Sequence, residues 1–220
     1  MTLKQVLESE RIFLSSSSWY IHAPRYFEIE SSVFEELWDV RDSCEAQFYR
    51  MFGKRVRVPR RQGLFAEQSL TYKFSGLTIP SKPITMHPFM KTLLDSVTDT
   101  HNAVFVNWYE NGKDYVSAHS DDERELVEGN CIISVSLNAT RTFRIRSNKG
   151  GAYSFAGDKL DIELGDGDVF VMGGNFQKEF VHEVPKKPIM IGDPRRINFT
   201  LRGMVADRDA CSVNKRKRSG

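Results

Sequence analysis

Cysteine is scarce in this chain of 220 residues: there are three, Cys44, Cys131 and Cys211, an odd number set far apart. That spacing excludes a disulfide framework and a cysteine-rich zinc site, and leaves three reduced structural thiols. Long apolar runs are missing too, and none approaches the ~18 residues that a membrane-spanning helix needs. Nor do the first fifteen residues form a secretory signal, because Glu8, Glu10 and Arg11 interrupt any apolar stretch. An intracellular protein with no membrane partner is the expectation. An excess of one charge is also lacking: 31 basic residues against 29 acidic leave +2, which argues neither for nor against a polyanionic partner. No internal repeat is visible.

What is present describes one folded unit. Hydrophobic residues make up 40% and charged residues 27%, and the length suffices for a single well-buried core. Charge is concentrated locally. Residues 50–61 hold Arg50, Lys54, Arg55, Arg57, Arg60 and Arg61 and no acidic residue. A second basic cluster, Lys215, Arg216, Lys217 and Arg218, lies in a tail (207–220) too polar to pack. A nuclear-import signal is the expectation for it, with a loose phosphate-binding arm or a plain disordered end as alternatives.

Residues 1–30 show no clean period, and residues 15–18 are four serines, so the segment reads as irregular. From Ser32 the pattern is helical: Glu35 three residues on completes a capping box, and Phe34, Leu37 and Trp38 share a face, predicting a helix to about Tyr49. Gly53 and Pro59 break it around a short hairpin strand at 55–58. A second helix is predicted from Pro88 through Val97, with Phe89, Met90, Leu93 and Leu94 on its apolar side. Both helices are expected on one face of a sheet. Strands follow at 103–109, 131–137, 141–146, 160–164, 168–172, 180–184 and 196–202, with turns at Asn111-Gly112 and Gly165-Asp166-Gly167. Many short strands in one domain, 31–206, imply an α+β, mainly β chain with a jelly-roll sandwich or barrel.

Two patterns point to chemistry. In an extended stretch His119 and Asp121 project from one face. With His182 from a later strand they make two histidines and one carboxylate on one face of a metal, leaving the opposite positions open, the arrangement typical of a non-heme Fe(II) oxygenase. In the strand at 196–202 the odd positions are apolar and the even ones are Arg196, Asn198, Thr200 and Arg202. The plain alternative is a half-buried strand with its polar face in water. The chemical alternative is that two guanidinium forks clamp a small dicarboxylate. Asn107 and Tyr109, also two apart, offer neutral donors to the same acid.

Together with Val58-Pro59-Arg60-Arg61-Gln62, Tyr72-Lys73-Phe74-Ser75-Gly76, His119-Ser120-Asp121-Asp122-Glu123 and residues 134–143, these patterns resemble the AlkB family of Fe(II)- and 2-oxoglutarate-dependent nucleic-acid demethylases. The resemblance runs from about residue 52 to 204 and is to the eukaryotic DNA-repair branch. It implies a double-stranded β-helix in which His119, Asp121 and His182 hold Fe(II), and Asn107, Tyr109, Arg196, Asn198, Thr200 and Arg202 hold 2-oxoglutarate, with O2 as oxidant. The implied reaction oxidises an N-methyl group of 1-methyladenine or 3-methylcytosine in DNA, with RNA as a further candidate substrate. It releases formaldehyde, succinate and carbon dioxide.

Such a base must be flipped out of a duplex. The resemblance places a recognition lid at about 50–80: Phe74 stacking on the flipped ring against His119, Tyr72 adding a hydroxyl, and Glu123 with Asp122 accepting from an exocyclic amine. Phe52, beside Gly53 and ahead of the basic hairpin, matches a finger that fills the vacated space, with Arg60 on the phosphate backbone. The plain alternatives are core strand residues for Tyr72 and Phe74, a solvated charge run at 123–125, and a helix-ending Phe52. Residues 151–159 and those before Arg50 carry no motif of the family. His22, His87 and His101 are read as surface or cap histidines. Two rival functions stay open: an Fe(II)/2-oxoglutarate hydroxylase of a protein or small molecule, and a catalytically silent nucleic-acid reader. A monomer is expected.

Overall fold

Every strand expected between residues 103 and 202 is found in the computed structural model, which describes residues 2–97, 100–148, 157–187, 192 and 194–205. The basic tail at 215–218 and Cys211 lie outside the described residues. In chain order the elements are α1 (Leu3–Leu7), β1 (Ile12–Phe13), β2 (Ser18–Ala23), α2 (Ser31–Asp39), β3 (Phe48–Met51), β4 (Lys54–Arg57), β5 (Arg61–Ala66), β6 (Thr71–Phe74), β7 (Leu77–Pro83) and α3 (Pro88–Asp95). They continue with β8 (Ala103–Tyr109), β9 (Val116–His119), β10 (Ile132–Asn138), β11 (Arg141–Ser147), β12 (Leu160–Leu164), β13 (Val169–Gly174), α4 (Phe176–Glu179), β14 (Phe180–Val184) and β15 (Arg196–Arg202).

Nine strands form the major sheet in the order β1-β2-β13-β10-β15-β8-β5-β7-β6, and four form the minor sheet, β12-β11-β14-β9. Pairing is antiparallel except for β5 with β7. The central strands β8, β10, β13 and β15 use both faces. Val106, Val135, Val171 and Phe199 belong to the cluster that α2 and α3 cover with Phe34, Leu37, Trp38, Met90, Leu93 and Leu94. The other face, carrying Tyr109, Ile132, Phe170 and Met172, meets Phe143, Ile145 and Phe180 of the minor sheet. Polar residues occur on that second face at the middle of the sheet, and there the site is built. All seven residues of β15 are buried, so its polar face does not look into water.

The N-terminal segment is not irregular. Strand β2 pairs with β13 along its whole length, from Ala23 opposite Val169 to Ser18 opposite Gly174. It shows no simple alternation because both faces are covered: Ile21 enters the helical core, while Tyr20 stacks on Phe170 at 5.1 Å. The first helix also differs. It ends at Asp39, and the capping box is absent; Glu30 is the cap, Ser32 Oγ donates to Glu30 at 3.4 Å, and Glu35 pairs with Arg195. Val40, Asp42, Ser43 and Cys44 are weak helix formers, and Phe48 and Tyr49 are instead taken by pairing with Arg57 and Val56.

The resulting β3–β4 hairpin turns on two residues, Phe52 and Gly53, with φ of +48° and +76°. This is the left-handed turn that suits hairpin twist and normally selects Asn or Asp before Gly. A phenylalanine there costs about 1–2 kcal/mol of backbone energy, and its side chain is 97% exposed. The plain alternative, a Phe52 that ends the first helix on its apolar side, is therefore excluded. A second two-residue turn, Ser75-Gly76, joins β6 to β7 with φ of +47° and +75°. Helix α3 starts at Pro88 as expected. His87 Nδ1 accepts from the Phe89 amide at 3.2 Å while Nε2 faces Glu36 at 3.2 Å. His87 is thus a cap, but a buried one, and His101 is buried as well.

Candidate active site

Strands β9 and β14 bring the two histidines together, since His119 stands directly opposite His182 in the ladder. Their ring centroids are 4.3 Å apart. Asp121, two residues beyond β9, closes the group: Oδ1 lies 3.8 Å from His119 Nε2 and Oδ2 lies 3.7 Å from His182 Nε2. One ligand atom from each of the three falls within 4.8 Å of the others. His119 Nδ1 is 2.9 Å from the Ser117 carbonyl, an arrangement that keeps the proton on Nδ1 and leaves Nε2 as a lone-pair donor. Burial, followed by the neighbouring His119, pushes His182 down to about 3, so its imidazole is neutral. Burial works against the Asp121 charge, but Arg202, His182 and His119 outweigh it and hold the carboxyl below its ordinary value. Two imidazoles and a carboxylate suit a divalent metal.

Beside this group, β15 lays Arg196, Asn198, Thr200 and Arg202 along the cavity floor, all buried. Arg196 Nη2 donates to Ser136 Oγ at 2.8 Å, and Asn198 Nδ2 to Ser134 Oγ at 2.7 Å. Thr200 Oγ1 lies 3.4 Å from Asn198 Oδ1. Arg202 Nη2 donates to Asp121 Oδ1 at 2.7 Å. Tyr109 places its ring 5.1 Å from the Arg196 guanidinium. Burial disfavours both arginine charges and lowers Arg196. At Arg202 the charges of Asp121, Tyr72 and Glu123 outweigh burial and push it up. Among the described residues, Nε and Nη1 of both arginines are buried without a hydrogen-bond partner.

One cavity of about 670 Å³ joins these residues to Tyr72, Phe74, Ser75 and Leu77 of the β6–β7 hairpin. Tyr72 and Phe74, on one face of β6, have ring centroids 4.9 Å apart, and the Arg202 guanidinium lies 4.8 Å from the Tyr72 ring. Tyr72 is buried and hydrogen-bonds Glu123. Burial, then the charge of Asp121, raises the Glu123 carboxyl, and its Oε2 is buried without a partner. Asp122 is exposed at the rim. Phe52 is not among the cavity residues; it stands at the tip of the hairpin whose Tyr49 and Arg50 line the mouth.

Arg60 departs from the expectation of an outward phosphate contact. Its side chain turns inward, Nε donating to Asn107 Oδ1 at 2.6 Å and Nη1 to the Tyr115 carbonyl at 3.2 Å. Pro59 carries the chain from β4 into β5 at this point, so Arg60 follows the inner wall. Residues the sequence reading passed over are Ser134 and Ser136, whose alternation with Ile133, Val135 and Leu137 was legible, and Gln177, which accepts from the Asp121 amide at 2.9 Å. Nothing in the sequence marks Gln177.

Residues 28–202 match the 2OG-Fe(II) oxygenase superfamily. The chain belongs to that superfamily. Human "DNA oxidative demethylase ALKBH2" is 34% identical over 162 residues, 71% of this chain and 60% of that protein. Human "Alpha-ketoglutarate-dependent dioxygenase alkB homolog 3" is 34% identical over 157 residues, 68% of this chain and 53% of that protein. The matches therefore span less than two thirds of these AlkB-type relatives. The solved structure of OsALKBH1 superposes with a TM-score of 0.53 at 17% identity, covering 88% of this chain and 99% of that one, which supports the fold alone.

The superfamily uses Fe(II), 2-oxoglutarate and O2, and the residues of this oxygenase chain fit the metal and the dicarboxylate. The donor set His119, Asp121 and His182 suits Fe(II). The unpartnered donors on Arg196 and Arg202 suit a dicarboxylate, because a buried charged donor left unsatisfied is costly and a carboxylate fills two sites of a guanidinium at once.

Proposed function

We propose that the protein is an Fe(II)- and 2-oxoglutarate-dependent dioxygenase that removes N-methyl groups from bases in DNA, acting on 1-methyladenine and 3-methylcytosine in duplexes. The observation that carries the reading is that one cavity holds the His119, Asp121 and His182 group at one end and the aromatic pair Tyr72 and Phe74 at the other. An exposed phenylalanine stands on the adjoining hairpin tip. The printed activity of the ALKBH2 relatives supports the same reading.

The chain's own contributions follow from the geometry. Bound iron with 2-oxoglutarate supplies the oxidation of the methyl carbon by O2. Arg196 and Arg202 hold the two ends of the dicarboxylate or the charge at its metal end, with Asn107, Tyr109, Asn198 and Thr200 lining its bed. Phe74 offers a stacking face, and burial of Tyr72 and Arg202 beneath it keeps water from the far side. Glu123 presents an unpartnered acceptor, which suits a cationic ring with an exocyclic amine. The hydroxymethyl product releases formaldehyde on its own. Phe52 fills the space of the flipped base, and the basic residues at 54–57 meet phosphates in a salt-dependent manner.

Formaldehyde and succinate measured together test this reading. Methylated DNA duplex should yield both in equal amounts, above unmethylated DNA. A hydroxylase of proteins or small molecules would make succinate without formaldehyde from DNA, and a silent reader would bind DNA and make neither.

A further inference from the structure

The serines at 15–18 play no part in the site described above and lie ahead of the residues that match the superfamily. Three of their hydroxyls converge on one carboxylate. Ser15 and Ser18 donate to Oε2 of Glu179 at 2.5 and 2.6 Å, and Ser17 donates to Oε1 at 2.7 Å. Burial works against the Glu179 charge, but the hydroxyls outweigh it and hold the carboxyl below its ordinary value. The Asn175 amide also donates to the Ser17 carbonyl at 2.9 Å. Helix α4 has four residues, too few to hold its own shape in water. It is fixed from outside, by the N-terminal turn together with the Asn148 amide, which donates to the Glu179 carbonyl at 2.8 Å, and the buried Phe176.

Its inner side reaches the metal group. Gln177 Oε1 accepts from the Asp121 amide at 2.9 Å, and Gln177 Nε2 is 3.5 Å from Met172 Sδ. Ser120 Oγ donates to the Phe180 carbonyl at 2.9 Å. Asp121 lies beyond the end of β9 and has no ladder partner. These two bonds therefore locate its backbone, as Arg202 locates its carboxylate.

We propose that Gln177 is a positioning residue for Asp121, and that the clamp of Ser15, Ser17 and Ser18 on Glu179 sets where Gln177 stands. The inference rests on His119, Asp121 and His182 being the metal ligands. Partners behind a metal ligand fix its direction, and losing one typically weakens metal affinity 10- to 100-fold. If α4 only filled the end of the core beside Phe180, its variants would lower stability and leave the metal site unchanged.

The test is an anaerobic Co(II) titration of the full chain, followed by the visible absorption of the bound ion, with the metal-free thermal midpoint recorded alongside. Gln177→Leu should bind Co(II) roughly 10- to 100-fold more weakly, with an altered spectrum and a metal-free midpoint within a few degrees of the parent. The triple change Ser15→Ala, Ser17→Ala, Ser18→Ala should move affinity the same way. Adding Gln177→Leu to it should cost little more, because both act through one bond. Unchanged Co(II) affinity and spectrum in Gln177→Leu would overturn the proposal, and strictly additive losses would overturn the clamp. Should Gln177→Leu not fold, Gln177→Met is held to the same criteria. A parent chain that binds no Co(II) would instead overturn the metal reading itself.

Discussion

Arg202 donates through Nη2 to Oδ1 of Asp121 at 2.7 Å, so one guanidinium links the candidate metal group to the proposed 2-oxoglutarate bed. Arg196 has no contact with Asp121 and donates to Ser136 instead. The two arginines should therefore separate on substitution. Arg202→Met is expected to weaken both metal and 2-oxoglutarate binding, since removing one partner of a buried ion pair costs about 3–5 kcal/mol. Arg196→Met is expected to weaken 2-oxoglutarate alone. Paired titrations with Mn(II) and with 2-oxoglutarate check this, and equal loss of metal affinity in both variants would refute the division.

The unpartnered donors on these arginines predict stabilisation by ligand. With metal present and 2-oxoglutarate at a hundred times its dissociation constant, linkage gives about 2.7 kcal/mol. For a domain of this size that corresponds to roughly 5–10 °C in thermal midpoint. Glutarate, which keeps the two carboxylates but lacks the keto group, should give a smaller shift. No shift with 2-oxoglutarate would show that the guanidiniums do not face it.

Phe52 makes no core contact, being 97% exposed. Phe52→Ala should leave the thermal midpoint within a degree or two and reduce activity on duplex DNA by tenfold or more, in rough terms of a lost wedge worth a few kcal/mol. Activity on single strands should change little. Rates measured on both substrates decide it, and equal losses would count against a wedge.

Arg60 bonds Asn107 rather than facing solvent. Arg60→Gln should raise the 2-oxoglutarate concentration needed for half-maximal rate by roughly tenfold or more, in line with a lost hydrogen bond to a charged group of about 1.5–3 kcal/mol. The salt dependence of DNA binding should be unaltered. A flatter salt slope with an unchanged co-substrate requirement would return Arg60 to the phosphate backbone.

Two carboxyls away from the metal link folding to pH. In Asp168 and Glu179 burial works against the charge but is outweighed, by the Gly165 and Arg25 amides and His22 in the first and by three serines in the second. A depressed folded pKa stabilises above the unfolded value, near pH 4, and that stability is lost as pH falls through the folded value. The thermal midpoint should fall below about pH 4, and Glu179→Gln should flatten the fall. An equally steep fall in Glu179→Gln would contradict the assignment.

Where burial is one-sided or follows a strict period, the chain could be read directly. Strand β15 declares itself by alternating Ile197, Phe199 and Leu201 with four polar residues, and that alternation already separates the helical core from the anion bed. The two-residue spacing of His119 and Asp121 was by itself a weak signal, since Asp121 lies beyond the end of β9; the group was legible through the motifs around it. Strand β2 was not, since Tyr20 and Ile21 are covered on opposite faces and leave no polar side to mark the period. Helix α2 was overrun because the competition that ends it is tertiary: Phe48 and Tyr49 pair with residues beyond the Phe52 turn. Arg60 was misplaced for a related reason, as a basic run shows its charge but not which member turns inward. Gln177 acts through a backbone amide, and such contacts leave no spacing to find.

In the proposed function, His119, Asp121 and His182 hold the iron that oxidises a methylated base. The most direct measurement of this follows a 1-methyladenine duplex by mass spectrometry, incubated with Fe(II), ascorbate and 2-oxoglutarate, for the parent chain and for Asp121→Ala. Complete methyl loss is expected with the parent, none without 2-oxoglutarate, and none with Asp121→Ala although that variant still binds the duplex. Methyl loss that persists in Asp121→Ala, or a parent that turns over 2-oxoglutarate while every methyl stays in place, would contradict the proposal.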